Sequence, residues 1–327
     1  MLAGGGAGGT LGAQRVVISG RVLHGPNRKP LSGAWAVLHR VHMRGASGPV
    51  DSTRTGPQGE YRLRIARADT SAMYVVSSWY RGIAYFSEPV PVRGTATATL
   101  KPILVYDTTS TGPPIRTQRR LVTIALPKKD GTRSVLELVV LANPGTATRV
   151  APDTTHPTWA GAVPREAIQF EVGEGDVSAE AVGLRGDTVA VFGPIPPDDA
   201  KQLSYSYVLP ATTRQVTIPI DQTLDELDLL LEDTTANVAA PDLEFVGVQP
   251  IEQRRFAGYR TGALRPGAAV SVTFPAAGFH IQTMLPYVIA LVALALVAGL
   301  VVALRKQTPD ARRQTSDLRC QTSDVNL

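Results

Sequence analysis

Short runs of alternating apolar and polar residues, broken by turn-forming residues, fill most of the chain as far as residue 275. In "VVISGRVLHGPNRKPLSGAWAVLHRV", Val16, Ile18 and Val22 keep strand spacing, and Gly25, Pro26 and Asn27 stop the run. Ala34 to Val41 then alternates, with Trp35, Val37 and His39 on one face and Ala36, Leu38 and Arg40 on the other. "DSTRTGPQGEYRLRI", from Asp51 to Ile65, gives a strand end, a Gly-Pro-Gln-Gly turn, and a strand with Tyr61, Leu63 and Ile65 on one face. "MYVVSSWYRGIAYFSEPVPV" gives two strands around an Arg81–Gly82 turn, and "TATATLKPILV" a last one. Short strands at this regular spacing predict a β-sandwich over 16–102.

The Thr/Pro-rich stretch "DTTSTGPPIRTQ" is poor in core-forming residues, and 103–118 reads as a linker. A second alternating set follows: "RLVTIAL", "SVLELVVLAN", "EAIQFEV", "DTVAVFG", "QLSYSYVL", "RQVTIPI", "LEFVGVQ" and "AVSVTF". It predicts a second sandwich of about eight to ten strands over 119–275. "QTLDELDLLLED" fits either a short acidic helix or a strand with Leu227, Leu229 and Leu231 inward, and its length and neighbours favour the strand. Its acids, Asp225, Glu226, Asp228, Glu232 and Asp233, raise the question of calcium. No loop with a turn glycine gathers them, so they read as a solvated acidic edge. Tyr205 and Tyr207 share a sheet face in "YSY", which fits cross-strand packing and, as a weaker alternative, a sugar-stacking surface.

The pattern changes at Met284. From there to Leu304, 21 residues carry no charge. A helix of that length crosses a hydrocarbon core of ~30 Å. A buried core helix is the other reading, but no polar face exists and charges follow at once. Arg305, Lys306, Arg312, Arg313 and Arg319 come after the run, whereas the nearest basic residue before it, His280 aside, is Arg265. The asymmetry places the tail, 305–327, in the cytoplasm and the N-terminal domains outside it, periplasmic or extracellular. Residues 1–13 read as a signal-peptide remnant or a flexible tail, with Leu11, Gly12 and Ala13 resembling a cleavage site. The tetrapeptide "QTSD" begins at Gln314 and again at Gln321 without an apolar heptad, which excludes a coiled coil.

Composition narrows the chemistry. Hydrophobic residues make up 43% of 327 residues, enough for a sizeable core. The formal charge of +5 is spread thinly, with no basic stripe interleaved with aromatics, so nucleic acid is not an expected partner. The single cysteine, Cys320, allows neither an internal disulfide nor a Cys-based zinc site.

"ISGRV", "KPLSGAWAVL", "TRTGPQGEYRLRI" and the closing strands together resemble the carboxypeptidase regulatory-like (transthyretin-like) domain, over roughly Val16 to Pro102. The resemblance implies a β-sandwich that accompanies a peptidase, a receptor or a surface anchor. A zinc carboxypeptidase partner would need His-x-x-Glu. None of His24, His39, His42, His156 and His280 has Glu three residues later. A Gly-x-Ser-x-Gly elbow and a phosphate loop are also missing.

The expectation is therefore a mainly β chain: two tandem β-sandwich domains followed by one C-terminal transmembrane helix, with a non-catalytic binding or envelope-structural role. No catalytic residue, cofactor or metal ligand is expected; the expected partners are the lipid bilayer and an envelope protein or polysaccharide. Two alternatives stay open. One is a sensor or assembly subunit pairing through Ala290, Ala293, Ala295, Ala298 and Gly299 of the span. The other is a hydrolase in the second domain, built from scattered carboxylates.

Overall fold

The computed structural model describes residues 15–42, 47–92 and 97–275. The expected helix 284–304, its flanking Arg305 and Lys306, and residues 1–13, read as a signal-peptide remnant or a flexible tail, lie outside the described residues. No helix among the described residues is long and apolar enough to cross a membrane. The described chain is mainly β, as the alternation predicts, and its one helical piece is a 3₁₀ turn at Ala179–Ala181.

The first nine strands are β1 (Val16–His24), β2 (Trp35–Val41), β3 (Gly48–Arg54), β4 (Glu60–Ile65), β5 (Met73–Tyr80), β6 (Ile83–Phe86), β7 (Val90–Pro91), β8 (Thr97–Thr99) and β9 (Ile103–Val105). One sheet runs β4-β1-β8, with β9 also on β1; the other runs β3-β2-β5-β6, with β7 on β5. Alternation decides which side is buried. Tyr61, Leu63 and Ile65 of β4 and Ala36 and Leu38 of β2 turn into one core with Val16, Ile18, Tyr74 and Val76. Two turns explain the register. Gly59 has φ +72°, and a Cβ there would meet the Val22 carbonyl oxygen at 2.4 Å, so only glycine closes the turn into β4. Arg81 and Gly82, both at positive φ (51° and 82°), form the two-residue hairpin between β5 and β6.

The remaining strands are β10 (Thr108–Thr109), β11 (Arg116–Ile124), β12 (Arg133–Ala142), β13 (Thr148–Arg149), β14 (Trp159–Ala162), β15 (Ile168–Val172), β16 (Val182–Arg185), β17 (Thr188–Val191), β18 (Lys201–Leu209), β19 (Gln215–Ile218), β20 (Leu224–Leu231), β21 (Asn237–Ala239), β22 (Glu244–Ile251), β23 (Arg254–Thr261) and β24 (Val270–Thr273). A seven-stranded sheet, β15-β18-β12-β11-β20-β23-β22, shares its core with two three-stranded sheets, β14-β17-β16 and β19-β24-β21. The ambiguous acidic stretch is strand β20, with Leu227, Leu229 and Leu231 each 1% exposed.

The stretch 103–118, read as a linker, is built into both cores. Ile103, Val105 and Tyr106 are buried in the first, and Ile115 in the second. β9 pairs with β1, β10 pairs with β13, and β11 begins at Arg116. Side chains fasten the junction further. The Tyr85 hydroxyl donates to the Tyr106 carbonyl at 2.9 Å and lies 2.8 Å from Thr148 Oγ1, while the Tyr106 hydroxyl donates to Asp198 Oδ2 at 3.1 Å. Thr108, Thr109 and Thr117 of the stretch read as a linker lie in strands, Pro113 and Pro114 lie in the connection between β10 and β11, and the described residues as far as Phe274 belong to one compact unit.

Candidate binding face

Tyr205 and Tyr207 offer no surface to a sugar. They are 1% and 2% exposed, on the inward side of β18. Their hydroxyls donate to Glu137 at 2.9 and 2.8 Å, and Arg120 donates to the same carboxylate from Nε at 2.6 Å and from Nη2 at 3.1 Å. Arg120 also reaches the carbonyls of Pro219 and Ala162. Four donors thus occupy a wholly buried carboxylate. Burial pushes both tyrosine hydroxyls well above their ordinary pKa, and the adjacent Glu137 charge adds to it. Burial alone would lower Arg120, but Glu137 holds it firmly protonated. The sequence signal was present: Glu137 stands at an inward position of the apolar run "SVLELVVLA", opposite the strand carrying Arg120.

The acids of β20 are not a solvated edge either. β20 lies between β11 and β23, and arginines on both sides meet its carboxylates. Asp225 pairs with Arg116 at 2.8 Å, and Glu226 with Arg260 at 3.2 Å. Asp228 takes both Arg119 and Arg260. Just past the strand, Glu232 pairs with Arg254 at 3.4 Å and Asp233 with Arg133 at 3.0 Å.

Exposed aromatics lie elsewhere: Phe245 stands apart on β22, and three share the outer face of β3-β2-β5-β6. Trp35, Trp79 and Phe86 are 47%, 58% and 62% exposed. The register that pairs Ala36 with Ser78 puts Trp35 and Trp79 on adjacent positions of neighbouring strands. Such cross-strand positions stand about 5 Å apart. Phe86 is one row along, opposite Ser77. Between the indoles and β3 lies a shallow hollow of about 670 Å³, lined also by Val37, Val50, Asp51 and Ser52. The guanidinium of Arg54 lies 4.4 Å from the Trp35 ring centroid and donates to the Gly33 carbonyl at 2.8 Å.

Arg54 also borders a second hollow of about 580 Å³ at the β3–β4 corner, with Arg21, Arg62 and Glu60 and the hydroxyl-bearing Ser19, Thr53 and Thr99. Three guanidinium groups face one carboxylate there. An aromatic surface therefore runs into a basic one, with Arg54 common to both. Sequence reading placed Trp35 on a face but had no means of telling the outer face from the core, and it did not assign Trp79 or Phe86.

No family model matches the chain, and no curated protein matches it. Solved structures give partial likenesses. A 9R-lipoxygenase from Cyanothece aligns over 32% of this chain and 19% of its own, at 12% identity and a TM-score of 0.23. An M1 zinc metallopeptidase from Deinococcus radiodurans aligns over 49% of this chain and 42% of its own, at 10% identity and a TM-score of 0.30. A putative nutrient binding protein from Legionella pneumophila aligns over 51% of this chain and 70% of its own, at 12% identity and a TM-score of 0.27. The chain spans less than two thirds of the lipoxygenase and of the peptidase.

Proposed function

We propose that this chain is a non-catalytic binding protein held at a membrane. Two tandem β-sandwich domains, the first of carboxypeptidase regulatory-like type, are carried outside the cytoplasm by a helix at 284–304, with Arg305 and Lys306 marking the inner side. The ligand is an acidic envelope polysaccharide, taken on the outer face that holds Trp35 and Trp79. The observation that supports this reading most is the pair of exposed indoles side by side with Arg54 at their edge. Indole rings offer flat apolar surfaces to the C–H faces of sugars. Guanidinium groups bind carboxylate or phosphate in a forked, charge-assisted geometry. Contiguous exposed apolar surface of this kind commonly marks an interaction site. The absence of a catalytic role is supported by the state of the conspicuous acids in the larger core and on β20. Glu137 has every donor it can use, and each β20 carboxylate is held by an arginine.

The test is binding of the full chain, in detergent micelles, to polygalacturonate and to uncharged dextran. The acidic polymer should bind more tightly, and Trp35→Ala with Trp79→Ala should abolish the interaction. Equal binding of the two polymers, or binding indifferent to both tryptophans, would contradict the proposal.

A further inference from the structure

A separate cavity lies between the two cores, where β6 and β9 face the loops around Asp176 and Pro196. It measures about 580 Å³, within the range usual for small-molecule sites. Its walls are unlike the basic hollow. Exposed Phe86, backed by the buried Tyr85 and Tyr106, forms one side, and exposed Pro194, backed by the buried Pro196 and Pro197, the other. The two tyrosine hydrogen bonds that cross the junction, to Thr148 and to Asp198, fix the walls relative to each other, so the cavity is preformed.

Carboxylates outnumber cations on the lining, four to two. Both lysines are already engaged: Lys101 with Glu88 at 2.7 Å and Lys201 with Asp199 at 2.6 Å. Two further carboxylates border the cavity, Asp176 and Asp198. Asp176 accepts from the Gln202 amide through Oδ2, and Asp198 accepts from Tyr106 through Oδ2, with Arg28 at the outer limit of pairing, 3.9 Å away. Asp198 holds its position at φ +55°, a conformation uncommon for a residue with a side chain. The cavity thus combines an aromatic and proline-lined body with carboxylates at its border.

We infer that this cavity binds a small organic cation: a primary or quaternary ammonium group on an apolar body. The body packs between Phe86 and the prolines. The ammonium meets Asp198 and Asp176, and the aromatic rings favour a cation over a neutral group of the same shape. An anionic ligand of similar size is repelled. Phe86 stands beside the tryptophan face on β6, but Trp35 and Trp79 do not line this cavity, so the two sites are tested separately.

The experiment is saturation-transfer NMR on the full chain in detergent micelles, with empty micelles as the control and phenethylammonium, 2-phenylethanol and phenylacetate as probes. Phenethylammonium should show protein-dependent transfer, the alcohol much less and the carboxylate none. In Asp176→Asn combined with Asp198→Asn, the preference for ammonium over alcohol should fall by about tenfold. Asparagine tolerates positive φ, so the second substitution preserves the turn. Phe86→Ala should weaken the ammonium and the alcohol together, whereas Trp79→Ala should change neither. Equal binding of ammonium and alcohol, no ammonium binding at all, or a preference unchanged in the double Asn variant would overturn the inference.

Discussion

Nε of Arg120 lies 2.6 Å from the Glu137 carboxylate in the middle of the larger core, and the two side chains are 7% and 0% exposed. Removing such charges from water is expensive, so the pair persists because Tyr205, Tyr207 and two backbone carbonyls complete its hydrogen bonding. Breaking one side leaves the other unpaired. Glu137→Gln should therefore destabilise the fold by about 3–5 kcal/mol, the usual penalty for an orphaned buried charge. Arg120→Met with Glu137→Leu should recover most of that loss. Urea denaturation of the three forms tests this, and a double variant no better than the single one would argue against an orphaned-charge penalty.

The two tyrosines on Glu137 make the alkaline limit informative. Their folded pKa values are raised by burial above the unfolded value of about 10. Their contribution to stability is therefore complete below about pH 10 and is lost as pH climbs from there toward the folded values. Tyrosinate absorbance at 295 nm should show exposed tyrosines ionising first. Tyr205 and Tyr207 should follow in one cooperative step that coincides with loss of the β circular dichroism signal.

Acid acts through β20 and the residues just past it. Burial alone would raise the Asp228 carboxyl, but hydrogen bonds from Arg260 and Arg119 bring it below the usual range. Thr235 and Arg133 do the same for Asp233, again against burial. Both folded values lie below the unfolded value of about 3.9, so the stabilisation is present above that pH and disappears as pH falls through the folded values. Urea midpoints should drop as pH falls from about 4 through the folded values, and Asp228→Asn should flatten that slope.

The junction between the cores should resist proteases. Residues 103–118 include β9, β10 and the start of β11, with Ile103, Val105, Tyr106 and Ile115 buried. Limited proteolysis should leave this stretch intact under native conditions, and Tyr106→Phe with Tyr85→Phe should make it cleavable. Rapid cutting between Asp107 and Gln118 in the unaltered chain would show that the cores move independently.

Much of the β architecture was legible because alternation is local. Tyr61, Leu63 and Ile65 fall on one buried face as their spacing requires, and Arg81–Gly82 forms the turn its residues suit. What was not legible depends on partners distant in sequence. The acids of β20 look like a soluble edge until arginines from β11 and β23 are laid beside them. Tyr205 and Tyr207 read as a packing pair, as they are, but the Glu137 carboxylate that takes their hydroxyls is on another strand. Trp35 and Trp79 have the composition of core residues, and only the other side of β2 and β5, filled by Leu38 and Val76, shows that they face outward. Thr/Pro richness misled at 103–118 because short edge pairings need few apolar residues.

The most direct test of the binding face uses the three tryptophans themselves. Trp35 and Trp79 are exposed, while Trp159 is 6% exposed, with its ring N–H donating to Gln222. Iodide should quench the first two and spare the third. With the full chain in detergent micelles, saturating polygalacturonate should protect Trp35 and Trp79 from iodide, and Arg54→Ala should weaken that protection by about tenfold, the scale of one charge-assisted contact. Unchanged quenching of both tryptophans in the presence of the bound polymer would contradict the account.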